Sequence, residues 1–164
     1  MRFITQLNLG QNGRLGNQMF QYAAMKCLSL HETVPVLMPA DAHRLKIFRI
    51  NTYHLPAGEI VSIFNENQPI MYNEPHFHYD RNFFAIPAHM QNVNLNGFFQ
   101  SEKYFKDIEH ILKREFQLID HRITNSVKET IKNLKADHPG KSLVAYHIRR
   151  GDNVPAATDE IGQD

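Results

Sequence analysis

Phe3-Ile-Thr-Gln-Leu-Asn-Leu-Gly10-Gln-Asn-Gly13-Arg14-Leu-Gly16-Asn17-Gln-Met-Phe-Gln-Tyr-Ala-Ala24 passes from one periodicity to another within a few residues. Residues 3–9 put Phe3, Thr5, Leu7 and Leu9 on one face and Ile4, Gln6 and Asn8 on the other, the two-residue period of a strand. Glycines at 10, 13 and 16 mark a turn. From Asn17 onward Met19, Phe20, Ala23, Ala24, Cys27, Leu28 and Leu30 recur at helical spacing, with Asn17 available as N-cap. The stretch therefore reads as strand, glycine-rich loop, helix. The loop is neither a dinucleotide fingerprint nor a phosphate loop, since it lacks both G-x-G-x-x-G and Gly-Lys-Ser/Thr. On spacing alone a plain tight turn is the simpler reading. Arg14 and Asn17 are the polar groups through which it would act on a ligand.

Working outward, Val34-Pro-Val-Leu-Met38 is a short apolar run with β-branched content and reads as a second strand. Residues 40–90 are interrupted by prolines at 56, 69, 75 and 87, which predicts short elements and long loops. Val93-Asn-Leu-Asn-Gly-Phe-Phe99 reads as another strand. Ser101 caps a predicted helix carrying Tyr104, Phe105, Ile108, Ile111, Leu112 and Phe116 on one stripe. Ile123, Val127, Ile131 and Leu134 predict a further helix over about 122–136, ended by Pro139-Gly140. Residues 142–148 read as a last strand, and 153–164 as a tail without periodicity. This order of elements predicts an α/β fold with a largely parallel sheet.

Eighteen basic and 17 acidic residues leave a net charge of +1 over 164 residues, which argues against a nucleic-acid-binding surface. Any anion site must be local. The single cysteine, Cys27, lies in an apolar stretch and fits a reducing compartment. The sequence shows neither a signal-peptide pattern nor an apolar run of the roughly 20 residues a membrane span needs. A cytoplasmic protein is the expectation. His76, His78 and Asp80 alternate in a way that could reach a metal, yet only three ligands are local, so a surface loop is preferred and no metal site is expected.

The cations concentrate at the end of the last predicted strand, where His147, Arg149, Arg150 and Asp152 fall within six residues. In open α/β sheets ligands gather beyond the carboxyl ends of parallel strands. Alternation puts His147 and Arg149 on one face and Arg150 on the other, so the two arginines should not share a role. A planar guanidinium matches a phosphate bidentately. The competing reading pairs one arginine with Asp152 in a turn.

Gly13-Arg-Leu-Gly-Asn-Gln-Met-Phe-Gln-Tyr-Ala23, Gly97-Phe-Phe-Gln-Ser-Glu-Lys-Tyr-Phe105 and His147-Ile-Arg-Arg-Gly-Asp152 closely resemble, in order, segments of the α-1,2-fucosyltransferases of glycosyltransferase family 11. The resemblance implies a Rossmann-like N-terminal domain of a glycosyltransferase B fold over residues 1–138, on the acceptor side. Residues 139–164 would then be the first strand and motif of a donor domain truncated thereafter. It also implies inverting transfer of fucose from GDP-fucose to a galactoside-type glycan, with the sugar nucleotide as co-substrate and neither cofactor nor divalent metal. Arg149 becomes the expected catalytic residue, stabilising charge on the departing diphosphate. His147, Arg150 and Asp152 join it as donor-binding residues, and Arg14 and Asn17 line the acceptor side of the cleft. A glycolipid or lipid-linked acceptor leaves room for peripheral membrane association. Asn153 stands where the family usually has an aromatic residue. As the truncated chain, the protein is expected to be inactive in transfer; the alternative is a non-catalytic module that binds a glycan or a protein.

Overall fold

The structure, a computed structural model, describes residues 2–146. The chain divides into two units, Met1–Ile123 and Thr124–Asp164. In the first, five short strands run parallel: β1 (Ile4–Thr5), β2 (Leu37–Pro39), β3 (Tyr53–Leu55), β4 (Ile70–Asn73) and β5 (Val93–Asn96). One ladder orders β1-β5-β4 and a second pairs β2 with β3. A parallel bridge between Ile4 and Val36, with Ile4 N–H donating to the Pro35 carbonyl, joins the two ladders. The strands thus succeed one another as β3-β2-β1-β5-β4. The chain winds outward from β1 on one side, crosses over, and returns to β1 on the other, the doubly wound arrangement that makes the β1/β5 boundary a topological switch point.

Helices cover both faces of this sheet. Helix α1 (Leu15–Glu32) lies on the face carrying Ile4, Val36, Met38, Val93 and Leu95, and α3 (Glu109–Glu115) completes that layer through Leu112, with Ile108 at its N-cap. Helix α2 (Ala57–Glu66) buries Ile60 and Phe64 against Phe3 and Leu37 on the opposite face. The alternation expected of residues 3–9 holds for Phe3 and Leu7 on the α2 side and Ile4 on the α1 side, but Leu9, expected with Phe3, packs with Ile4 because the chain has already entered the turn. Phe83, Phe99 and Tyr104 form the aromatic centre beyond β5, with ring centroids 4.9–5.5 Å apart. Cys27 is buried, and burial, with the Asp107 charge second, pushes its thiol up to about 11.

Several expected elements differ from those observed, each for a physical reason. The first strand keeps only two residues because the Asn94 side chain, not the β5 backbone, accepts the Leu7 N–H at 3.0 Å. The helix expected from Asn17 begins at Leu15, and Arg14 holds the N-cap position with an extended backbone. The helix expected over 104–116 breaks into two 3-10 turns (Glu102–Tyr104 and Lys106–Ile108) before α3, although Tyr104, Phe105, Ile108, Ile111, Leu112 and Phe116 all reach the core as their stripe required.

The last helix, α4 (His121–Asp137), begins in the first unit and continues through the second. Its apolar residues Ile123, Val127, Ile131 and Leu134 are exposed. The strand expected over 142–148 is not formed across its described part, residues 142–146, where Val144 and Tyr146 are each 86% exposed. A strand persists only where a hydrogen-bonded neighbour satisfies its backbone, and this segment pairs with none among the described residues. No described helix is long and apolar enough to cross a membrane.

Candidate functional site

At the switch point the carboxyl ends of β1 and β5 are finished by carboxamides rather than by charged groups. Gln6, one residue past β1, is fully buried and donates through Nε2 to the Gly97 carbonyl at 2.9 Å. Gln21, buried on α1, donates to the same carbonyl at 3.2 Å. Because only an amide nitrogen can donate to a carbonyl, these bonds fix which end of each side chain is oxygen. Both Oε1 atoms are buried without a hydrogen-bond donor. One turn earlier on α1, Gln18 sends Nε2 to the Gly13 carbonyl at 3.3 Å, and its Oε1 is likewise unpartnered.

Asparagines extend this layer along the sheet edge. Asn8 donates to Asn96 at 2.8 Å, and Asn96 donates to Asn73 at 2.9 Å, linking the ends of β1, β5 and β4. Asn8 Oδ1 joins the buried oxygens that lack a donor, as does Thr5 Oγ1. A buried polar atom left unpaired costs about 1–3 kcal/mol. Gln6, Gln18 and Gln21 are fully buried, so these acceptors are internal to the edge and out of a ligand's direct reach.

The loop after β5 is shaped to complete the edge. Glu74, next after β4, accepts the Phe98 and Phe99 N–H groups through Oε2 at 2.8 and 3.0 Å, and its Oε1 is buried without a donor. This clamp holds Phe99 at φ 53, an unfavourable left-handed conformation for a bulky residue. Gly97 is required for the same clamp, since a Cβ there would stand 2.4 Å from that of Glu74. Gln100 then reaches back to the glycine-rich loop, donating to Asn17 Oδ1 at 2.8 Å.

The structure thus reassigns Asn17. It is the third residue of α1, not its cap, and its side chain occupies the space a Cβ on Gly13 would need, 2.3 Å from Asn17 Nδ2. Gly13 itself adopts φ +79 and Gly10 φ +98, so both glycines are conformational requirements of the turn. Gly16 has open space around it. Arg14 is exposed, and no side chain caps the first turn of α1, which holds no acidic residue. The N–H groups there retain the positive end of the helix dipole.

Of the residues expected to act, Arg14 and Asn17 lie beside this edge, whereas His147, Arg149, Arg150 and Asp152 lie outside the described residues. His76, His78 and Asp80 serve a loop: the His76 ring bonds the His78 carbonyl, and Asp80 accepts from the Tyr72 hydroxyl and the Asn82 N–H. Gln6, Gln18, Gln21, Glu74 and Gln100 were not singled out by motif reading. The legible signal was Gln18 and Gln21, three residues apart on a face otherwise filled by Tyr22, Met25 and Leu28.

The model of glycosyl transferase family 11 matches residues 3–161, nearly the whole sequence and the entire switch-point edge. The chain belongs to glycosyl transferase family 11. Among its relatives, galactoside alpha-(1,2)-fucosyltransferase 2 of Oryctolagus cuniculus is 31% identical over 147 residues, covering 87% of this chain and 39% of the relative. Galactoside alpha-(1,2)-fucosyltransferase 1 of Homo sapiens is 30% identical over 146 residues, with 86% and 38% covered. The family 11 chain therefore spans about two fifths of the length of the curated relatives it matches. No solved structure matches it.

Proposed function

We propose that this family 11 chain supplies the acceptor-side, Rossmann-like domain of a glycosyltransferase B fold that transfers fucose from GDP-fucose to a galactoside-type glycan, inverting the fucose anomeric carbon. The observation that carries the reading is the family 11 match over residues 3–161, which takes in the whole β1/β5 edge. The names of the relatives point to the same acceptor class.

In this account Arg14, Asn17 and Gln100 face the galactoside from the acceptor side, while the buried Gln6, Gln18 and Gln21 hold the edge that positions them. Arg149 stabilises the negative charge that grows on the β-phosphate as the bond to fucose breaks. His147 hydrogen-bonds the diphosphate or the fucose, while Arg150 and Asp152 hold the turn. Guanidinium charge takes the place of a divalent metal. A glycan carried on a lipid would bring the protein to a membrane surface as a peripheral visitor.

The test is transfer of labelled fucose from GDP-fucose to lactose, measured on this chain and on the longest polypeptide its reading frame encodes. Transfer to the galactose 2-hydroxyl by either is the expected result. Galactoside binding without transfer by both would leave a glycan-binding module in place of the enzyme.

A further inference from the structure

We propose that the polar pocket beside the loop after β5 is a subsite for a carboxylate carried by the sugar acceptor, so that the preferred acceptor is an acidic glycan. This rests on the galactoside reading above. The pocket, of about 430 Å3, is lined by Phe77, His78, Tyr79, Arg81, Gln100, Ser101 and Lys103. Gln100 links the pocket to the acceptor side: its amide donates to Asn17 on α1, so a glycan held beside Asn17 lies next to this pocket.

The lining is built rather than accidental. The Tyr104 hydroxyl accepts the Asp80 N–H at 2.9 Å and donates to the His78 carbonyl at 3.3 Å, while the His76 ring bonds that same carbonyl. Phe77 is 72% exposed yet stacked on Phe98 at 6.4 Å, a flat apolar surface of the kind on which a sugar ring lies. Arg81 and Lys103 form no ion pair among the described residues; the Lys103 ammonium stands 6.0 Å from the Tyr79 ring. Asp80, next to Arg81 in sequence, is committed to Tyr72 and Asn82, and Glu102, next to Lys103, lines a separate groove with Phe105, Lys106 and Glu109. The pocket lining therefore holds two cations and no acid, and a carboxylate is the group it would favour.

Lactose and lactobionate share a terminal β-galactose, and only the second carries a carboxylate. Isothermal titration of the chain at low salt is expected to show lactobionate binding at least about fivefold more tightly than lactose, the preference shrinking as sodium chloride is added. The exposed double variant Arg81→Met/Lys103→Met should bring lactobionate to the level of lactose, with an unchanged thermal melt as control for folding. Equal binding of the two sugars overturns the subsite and leaves the galactoside reading standing, as does a preference that survives the double variant. Gluconate binding as tightly as lactobionate would reduce the pocket to a non-specific anion site. Binding of none of the three overturns both readings.

Discussion

Gln6 and Gln21, one beyond the end of β1 and the other on α1, donate to a single acceptor, the Gly97 carbonyl, at 2.9 and 3.2 Å. Their oxygens remain buried and unpaired. Strand, helix and the loop after β5 thus meet at one carbonyl.

Replacing Gln21 with leucine tests how far this shared carbonyl holds the edge. The variant loses one hydrogen bond and also removes a buried oxygen that had no donor, so stability should change by no more than about 1 kcal/mol in urea denaturation. Galactoside affinity, read by titration, should fall because the Gly97 carbonyl loses one of the two donors that hold the loop after β5. A variant that binds normally and is strongly destabilised would mark Gln21 as structural.

The glycines of the first loop differ in what they require. Gly13→Ala forces a Cβ onto a φ of +79 and against Asn17, which predicts a loss of about 2 kcal/mol or more and displacement of the Asn17 side chain. Gly16→Ala meets open space within α1 and should be neutral or stabilising by up to about 1 kcal/mol. Parallel chemical denaturation of the two variants gives the comparison.

Much of this architecture was legible in the sequence. The change of period between residues 3–9 and 15–30 announced strand, turn and helix because backbone geometry alone sets those periods. Apolar stripes likewise placed Tyr104, Ile108 and Leu112 in the core. What was hidden depended on partners distant in the chain. The shortness of β1 follows from Asn94, and the left-handed Phe99 follows from Glu74. The Asn17 capping role was lost to a contact with Gln100, 83 residues away. Uncharged glutamines carry little motif signal, so the carboxamide edge became visible only once strand order brought it together.

The buried ion cluster between α1 and α3 gives a stability prediction. The Tyr22 hydroxyl donates to Glu115 at 2.8 Å, and the Lys26 ammonium lies 2.9 Å from the other carboxylate oxygen. Burial first and the Glu115 charge second push the Tyr22 hydroxyl well above its ordinary range, so it remains a donor at any working pH. Tyr22→Phe should cost about 1–2 kcal/mol in urea denaturation, leaving one oxygen of a buried carboxylate unpaired.

Acid sensitivity should have a traceable source. Hydrogen bonds from His89, and less strongly from His31, hold the Glu32 carboxyl below its ordinary range against the opposing effect of burial. A depressed folded pKa contributes stability above the unfolded value, about 4.3 for glutamate, and loses it as pH falls through the folded value. Glu32→Gln should therefore flatten the fall in denaturation midpoint below about pH 4.5. Asp80, whose carboxyl is held down by the Tyr72 hydroxyl and the Asn82 N–H, contributes to the remaining slope, as do Glu109 beside Lys113 and Asp120 beside Arg122. An unchanged acid limb in the variant would remove Glu32 from the account.

The most direct measurement is the rate of fucose transfer from GDP-fucose to a galactoside, comparing Arg149→Ala with the unaltered sequence in the longest polypeptide the reading frame encodes. Loss of a guanidinium that stabilises the departing diphosphate predicts a fall of roughly a hundredfold or more in kcat. Near-normal turnover by the variant would contradict the proposed chemistry.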